Sequence, residues 1–215
     1  ILKINPPMMV SKTGIVSKAQ LSHSLKDVSI RYTLDGSLPD SAKSELYEND
    51  IPFEGFLNVK TIATKEGWRA SDIKTFTFFK SNFKADSAWL LSEPDKQYPG
   101  VGSSTIIDQR QGDKSNFKDF AWLGFKQNDA EILVKTHEKI TGITVSYLKS
   151  FRSFIVPPVQ VQLWGGETKE SLVLLETKYP EKLTKEERSV QYSGISFPVG
   201  MEYKYFKIVA KPLSK

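Results

Sequence analysis

Four side chains in the second half of the chain bring together an aromatic ring and planar polar groups, in segments rich in turn-forming residues. Tyr98, Arg110 and Asn116 fall between residues 92 and 118, and Arg152 follows a separate alternating segment. An aromatic face stacks on apolar C–H groups, while guanidinium and amide groups pair with hydroxyls, which is the chemistry of sugar binding. Each of the four is alternatively an ordinary exposed residue or a support of its loop.

Trp164 is a fifth candidate for ligand contact, because it ends an alternating segment and precedes Gly165-Gly166. Its ring fits a stacking platform and core packing equally well, since tryptophan is usually highly buried. Trp122 is interpreted as a core residue, and Trp89 and Trp68 as structural residues.

Residues for catalysis are not evident in the sequence. Glycoside hydrolysis needs two carboxyl groups about 5 to 10 Å apart, and the 25 Asp and Glu residues lie mainly among Lys, Ser and Gly without marking such a pair. His23 and His137 lack the i, i+4 partner of a zinc site, and zero cysteines exclude disulfides and thiolate sites. No G-x-S-x-G elbow or phosphate-binding loop is present. We therefore expect this chain not to be an enzyme.

Strands must position the candidate residues, because 13 Phe, 8 Tyr and 4 Trp against 3 Met favour β structure. Between residues 28 and 33, Val28, Ile30 and Tyr32 alternate with polar residues, which predicts a half-buried strand. The pair Asp35-Gly36 then predicts a tight turn. Further strands are predicted at residues 57–63 and 73–78, which completes a short β-sandwich over residues 1–80.

The first segment resembles a known family. Tyr32 to Pro39 reads YTLDGSLP and is followed by Ser44 and Tyr47, which is similar to the Y-T-x-D-G-S-x-P pattern of chitobiase/β-hexosaminidase C-terminal domains. Residues 59–71 resemble the strand and turn that follow in that family. The resemblance implies an immunoglobulin- or fibronectin-III-like sandwich that accompanies exported bacterial enzymes without catalysing a reaction.

The second half is predicted to be a separate sandwich over residues 86–215, after a short linker at residues 81–85. Alternating or short apolar segments predict its strands at residues 131–135, 143–147, 159–164, 171–175, 189–195 and 203–210. The segment 92–118 reads as a long loop, and long loops in compact domains are usually functional or disordered.

Two stretches of this second half resemble discoidin-like domains, a jelly-roll family related to the coagulation-factor type C and galactose-binding modules. They are residues 107–125, which end in FAWLGF, and residues 151–161, which read FRSFIVPPVQV. Gln109 and Phe154 stand where the family usually has Gly and Trp. The resemblance implies ligand binding in loops at one end of the sandwich and a structural calcium ion held by Asp108, without any other required cofactor.

The net charge, the apolar segments and the ends of the chain limit which partners and locations are expected. A formal charge of +5 is spread among interleaved acids and bases, so we expect no nucleic-acid partner. The sequence has no apolar run of about 18 residues, so we expect no membrane span. The chain starts at Ile1 without a signal peptide and stops soon after the last predicted strand, so we expect a processed piece of a longer protein.

Together the two resemblances predict an all-β chain of two tandem β-sandwiches, the non-catalytic C-terminal accessory region of an exported bacterial carbohydrate-processing protein. Its expected location is the cell surface, the periplasm or the medium, and its expected partners are a glycan or polysaccharide and an upstream catalytic domain. The alternative is a pair of structural spacers or protein-docking modules in a larger surface protein, such as a multidomain cytochrome or hydrolase.

Overall fold

The chain forms two separate β-sheet units in the computed structural model: Ile1–Asn82 and Phe83–Lys215. The structure describes residues 2–9, 18–53, 55–80, 83–108, 110, 112–183, 190–200 and 202–213. The first part of the predicted linker, residues 81 and 82, lies outside the described residues, as does Ser189 of a predicted strand.

The first unit consists of short strands around one four-stranded sheet. Its strands are β1 (Met8–Met9), β2 (Lys18–Ala19), β3 (Leu21–Ser22), β4 (Ser29–Thr33), β5 (Glu45–Leu46), β6 (Ile51–Pro52), β7 (Gly55–Thr64) and β8 (Lys74–Lys80). The antiparallel order β5-β4-β7-β8 forms the main sheet, and β1-β3 and β2-β6 form two small ones. A core that includes Ile30, Tyr32, Ile51, Val59 and Phe76 joins them into a sandwich.

Local sequence patterns account for this unit. Ile30 and Tyr32 are buried on one face of β4, as their alternation predicted. The turn after β4 is formed as predicted, with the Asp35 carboxylate accepting the Ser37 amide at 3.0 Å and Gly36 at φ 84°. Only glycine adopts that φ without steric cost, which is why the Asp-Gly pair marks the turn.

The second unit contains the remaining described strands and one short helix. They are β9 (Ser87–Leu90), β10 (Gly100–Ser103), α1 (Ser104–Ile107), β11 (Ala130–Lys135), β12 (Gly142–Lys149), β13 (Gln160–Gly166), β14 (Val173–Lys178), β15 (Gln191–Pro198) and β16 (Tyr205–Lys211). In the described part of the chain, no helix is long and apolar enough to cross a membrane.

Two sheets of this unit enclose its core. A five-stranded antiparallel sheet has the order β14-β13-β16-β11-β9, and a two-stranded sheet pairs β12 with β15. Between them lie Val161 and Leu163 of β13, Phe206 and Ile208 of β16 and Phe197 of β15. The all-β class and the tandem β-sandwiches predicted from the sequence are confirmed.

Two predicted boundaries in this unit are wrong. The segment 92–118 is not one irregular loop, because it contains β10 and α1, which contact each other and β9. Gly100 and Gly102 have positive φ, and this glycine-rich composition masks the strand in the sequence. The strand predicted at residues 171–175 begins at Val173, because Ser171 turns back to bond Thr168.

Two loop segments of the second unit lie at the same end of its sheets. Segment 91–129 leaves the C-terminal end of β9 and enters the N-terminal end of β11, which are adjacent in the sheet. Segment 150–159 connects β12 to β13 at the same end, where Val159 bonds Lys211 of β16. We call this end, formed by the described residues of segment 91–129 and by residues 150–159, the loop end.

Candidate functional site

Trp122 organises the longer segment of the loop end. Its Nε1 donates to the carbonyl oxygen of Asp113 at 2.9 Å, and its ring lies directly over Gly112. A Cβ at position 112 would lie within 2.8 Å of three indole atoms, so only glycine fits beneath the ring. The ring is only partly buried and supports the loop, so the prediction that Trp122 is a core residue is wrong.

Tyr192 ties this segment to β15. Its ring stacks on Trp122 with centroids 5.9 Å apart and an interplanar angle of 28°. Its hydroxyl donates to the Gly112 carbonyl at 2.7 Å and accepts the Lys114 amide at 3.1 Å. Burial raises the pKa of the Tyr192 phenol, and the nearby Asp113 and Asp119 charges raise it further. The hydroxyl therefore stays protonated and can both donate and accept.

Two aspartates hold the tip of the same segment. Asp113 Oδ1 accepts both the hydroxyl and the amide of Ser115, and Asp119 accepts the amides of Asp113 and Ala121. These hydrogen bonds lower the pKa of both carboxyls in the folded chain. Because the folded pKa values are depressed, the stabilisation is complete above about pH 4 and is lost as the pH falls through the folded values.

The second segment of the loop end is a rigid turn with an exposed aromatic tip. Ser150 and Ile155 exchange backbone hydrogen bonds at 2.9 and 3.1 Å and close a loop of four residues, 151–154. At its tip Phe154 is 88% exposed and has φ 52°. Asp27 and Phe154 are the two non-glycine residues with positive φ among those described. A bulky side chain in this conformation costs about 1–2 kcal/mol.

Further exposed phenylalanines share this end. Phe120 is 68% exposed and Phe151 is 41% exposed. The Phe120 carbonyl accepts the Thr105 hydroxyl at 3.3 Å, so α1 supports this part of the loop. Phe120, Phe151 and Phe154 were not among the ligand-binding residues predicted from the sequence. The sequence did contain a signal for exposed aromatic residues. Phe151 and Phe154 flank Arg152 in one short segment, and neither phenylalanine falls in a predicted core strand.

Four of the predicted ligand-binding residues lie in the segments of the loop end. Arg110 and Asn116 are exposed, and Asn116 caps a turn through the Lys118 amide. Arg152 is exposed on the turn between Phe151 and Phe154. Tyr98 is partly buried, with its ring against Gly124 and the Lys126 ammonium 5.3 Å from its centroid. Tyr98 therefore supports its loop and offers less free ring surface than Phe154.

Trp164 lies elsewhere, on the face of the five-stranded sheet that points away from the core. It pairs with Lys207 and Leu174 across the neighbouring strands, next to a register shift between Leu163 and Trp164. The Lys207 ammonium lies 5.2 Å from its ring centroid, and its Nε1 is buried without a hydrogen-bond partner. The predicted position at a strand end is wrong, because β13 continues through Gly165 and Gly166, and Trp164 does not join the loop residues.

Asp108 ends α1, and its Oδ1 accepts the Arg110 amide at 2.8 Å. Calcium takes six to eight oxygens, so one carboxylate is not enough unless backbone carbonyls supply the rest. The described residues contain no group of three acidic or histidine side chains that could hold a metal. A calcium ion at Asp108 stays a prediction.

Calcium binding at Asp108 would stabilise the second unit through mass action. An excess of about 100 times the dissociation constant raises the free energy of unfolding by about 2.7 kcal/mol. We expect calorimetry to show a higher thermal midpoint with Ca²⁺, a return with chelator and no response in Asp108→Asn. Equal midpoints of the wild-type chain with calcium and with chelator would remove calcium from this site.

A cavity of about 260 Å³ lies at the opposite end of the second unit and includes His137, Lys139, Glu167, Glu202 and Lys204 in its lining. These charged groups pair with one another or with close neighbours. Lys139 bonds Glu202 at 2.6 Å, Lys204 lies 3.1 Å from Glu167, and His137 contacts Asp86. His137 therefore has an acidic partner in the fold, although no acidic partner was evident from the residues near it in the sequence. The cavity resembles a closed network of surface ion pairs more than a prepared ligand site.

Comparison with known protein families gives a match to one family model. Residues 12–75 match the model of the chitobiase/β-hexosaminidase C-terminal domain. No match was found among curated proteins.

Two solved structures are similar over 95% of this chain and 89% of their own chains. One is a SusE-like protein at 10% identity and a TM-score of 0.40. The other, at 12% identity and a TM-score of 0.25, comes from work on carbohydrate-binding modules of the β-sandwich superfamily. At such TM-scores neither supports a statement about this chain. The resemblance predicted for the first module is confirmed over the matched residues, which are similar to the chitobiase/β-hexosaminidase C-terminal domain.

Proposed function

We propose that this chain is a non-catalytic accessory region of an exported bacterial carbohydrate-processing protein, and that the loop end of its second unit binds a glycan. The observation that carries the proposal is Phe154, which is 88% exposed on a closed turn in a left-handed backbone conformation. The strained backbone and the exposed ring both cost free energy in the isolated chain. Strain of this kind concentrates at ligand contacts.

The turn suits the stacking chemistry predicted from the sequence. Two backbone hydrogen bonds close the short turn that carries the phenyl ring. The ring therefore loses little conformational entropy when a pyranose ring packs against it. Arg152, two residues earlier, supplies planar donors for hydroxyl or carboxylate groups. Phe120 and Phe151 add exposed aromatic surface at the same end. A discoidin-like, jelly-roll architecture for this unit is part of the proposal, and it rests on the motifs at residues 107–125 and 151–161.

The first unit supports the association with carbohydrate-processing enzymes. Its match is to a domain family named after chitobiase and β-hexosaminidase, enzymes that act on glycans. An upstream catalytic domain and export from the cell belong to the same proposal. The first unit itself is proposed to act as a spacer, because its described residues form a sandwich without an exposed aromatic turn like that of Phe154.

The alternative, protein docking, would use exposed apolar surface rather than sugar stacking. Phe120, Phe151, Phe154 and Val156 are exposed large hydrophobic residues of the loop end, and basic and amide side chains lie among them. This mixture of rings and planar donors favours a glycan over an apolar protein face.

A glycan array followed by titration calorimetry on the 215-residue chain tests the proposal. We expect binding of at least one glycan class with a dissociation constant between about 1 µM and 1 mM, which corresponds to about −8 to −4 kcal/mol. We expect no turnover of chromogenic glycosides. A blank array together with silent calorimetry would refute glycan binding, and turnover would refute the accessory role.

A further inference from the structure

The outward face of the five-stranded sheet in the second unit carries a row of residues that crosses all five strands. Directly paired neighbours make up this row, in the order Trp89, Leu133, Lys207, Trp164 and Leu174. Directly paired residues point to the same face of a sheet, so the whole row shares the outward direction of Trp164. Four of its five members are apolar, whereas the outward face of an antiparallel sheet is normally polar.

Along β13 the same face continues with two glutamines. Gln160, Gln162 and Trp164 alternate with Val161 and Leu163, which are buried in the core. Residues two positions apart in a strand lie about 6.6 Å apart on one face. Both glutamines are partly exposed, and in the described part of the chain neither side-chain amide forms a hydrogen bond. We call these two glutamines and the row that contains Trp164 the outer face.

Lysines limit how much of the aromatic surface is free. The Lys169 ammonium lies 3.8 Å from the centroid of the Trp89 ring and covers it, so Trp89 does not offer a stacking face. The Lys207 ammonium lies 5.2 Å from the Trp164 centroid and 3.6 Å from Glu131, and it covers part of the Trp164 ring. Trp164 stays partly exposed, so its ring is the aromatic contact that the outer face provides.

The free groups of the outer face suit a sugar better than an apolar protein surface. A primary amide both donates and accepts hydrogen bonds, and each hydroxyl of a pyranose does the same. The Trp164 ring offers an apolar surface for the C–H groups of that sugar. Ligand sites typically combine such apolar surface with a few placed polar groups. An apolar protein surface would leave the amides of Gln160 and Gln162 without partners, which costs free energy.

We propose that the outer face is a second glycan-binding surface, on which Trp164 stacks against a pyranose ring while Gln160 and Gln162 bind hydroxyls of the same glycan. This site goes beyond the proposed function, because it uses no residue of the loop end. Trp164 is partly buried, whereas Phe154 of the loop end is 88% exposed. The outer face therefore offers less ring area and binds glycan more weakly than the loop end does.

Titration of the chain with soluble xylan, mixed-linkage β-glucan, galactomannan and pullulan, followed by calorimetry and tryptophan fluorescence, tests the second surface. Phe154→Gly removes the loop-end ring, so the residual binding of this variant measures the outer face. We expect Phe154→Gly to bind at least one of these polysaccharides with a change in tryptophan emission. Adding Gln162→Ala should weaken that binding about tenfold, since hydrogen bonds to the ligand are lost. Adding Trp164→Phe should remove the emission change. Ser146→Ala is the control, because Ser146 is exposed on β12 of the other sheet.

The outcomes separate the two surfaces. If Phe154→Gly binds none of the four polysaccharides, or if Gln162→Ala and Ser146→Ala act alike, the second surface is overturned and the loop end is not affected. Binding that is unchanged in Phe154→Gly but lost with Gln162→Ala would support the outer face and refute the loop end. A wild-type dimer in sedimentation that Leu174→Lys converts to a monomer would assign the outer face to a second copy of the chain and overturn its role in glycan binding.

Discussion

Replacing Phe154 with glycine is expected to weaken glycan binding roughly 10- to 100-fold without unfolding the second unit. Burying a phenylalanine side chain contributes about 1.5–3 kcal/mol, which corresponds to that range. The side chain is 88% exposed, so its removal takes almost no packing from the core. The loss should therefore fall on ligand contact alone.

The same substitution tests the strain in the turn. Glycine adopts a φ near 52° without the cost of about 1–2 kcal/mol that a side chain incurs. The larger conformational entropy of glycine in the unfolded chain offsets about 0.4–1 kcal/mol of that gain. We expect the free energy of unfolding to stay equal or to rise by up to about 1 kcal/mol. A variant that is slightly more stable and yet unable to bind would identify Phe154 as a residue kept for function.

Calorimetric titration with the glycan that the array selects measures the affinity. Chemical denaturation of the same sample measures the free energy of unfolding. Leu38→Ala is the control, since Leu38 is 72% exposed in the first unit. It should change neither affinity nor stability. Unchanged affinity in Phe154→Gly would exclude this ring from the site, and a loss of more than about 2 kcal/mol in stability would show a structural role instead.

Replacing Gly112 with alanine is expected to reduce both stability and glycan binding. An added methyl group would overlap three atoms of the Trp122 indole. Overpacking of this kind typically costs about 1–3 kcal/mol. A displaced Trp122 also loses its bond to Asp113 and its stacking on Tyr192, so the tip that carries Arg110 and Asn116 would lose its support.

We expect Gly112→Ala to lower the thermal midpoint of the second unit by roughly 3–10 °C, because this is the usual relation between free energy and midpoint for domains of this size. Affinity for the glycan should fall in parallel. Gly200→Ala is the matched control, because an added Cβ there meets no atom within 4 Å. If Gly112→Ala and Gly200→Ala behaved alike, the Trp122 contact would not organise the loop end.

Periodicity and turn chemistry predicted most of the strands. Alternation along β4 placed Ile30 and Tyr32 inside, and Asp35-Gly36 placed the turn, because both depend on interactions within a few residues. The same reasoning missed β10, since glycines at positive φ lie within a strand that has no alternating pattern. Contacts with α1 and β9, rather than the local sequence pattern, hold such a segment in an extended conformation.

The position of the candidate loop residues was predictable from the sequence only in part. Arginine and asparagine in turn-rich segments indicated planar donors, and Arg152 and Asn116 do lie in loops of one end. The sequence could not show that Tyr98 covers Gly124 or that Trp164 lies on the sheet surface beside Lys207. Both facts depend on which strands are adjacent, and adjacency is a long-range property.

The sequence alone determined the all-β class and the similarity of residues 12–75 to the chitobiase/β-hexosaminidase C-terminal domain, because composition and short motifs express them directly. Only the tertiary structure decided which rings are exposed. Phe154 and Phe206 are the same residue type, yet one is 88% exposed and the other 1%. Strand pairing buries the second in the core, and a four-residue turn holds the first in solvent.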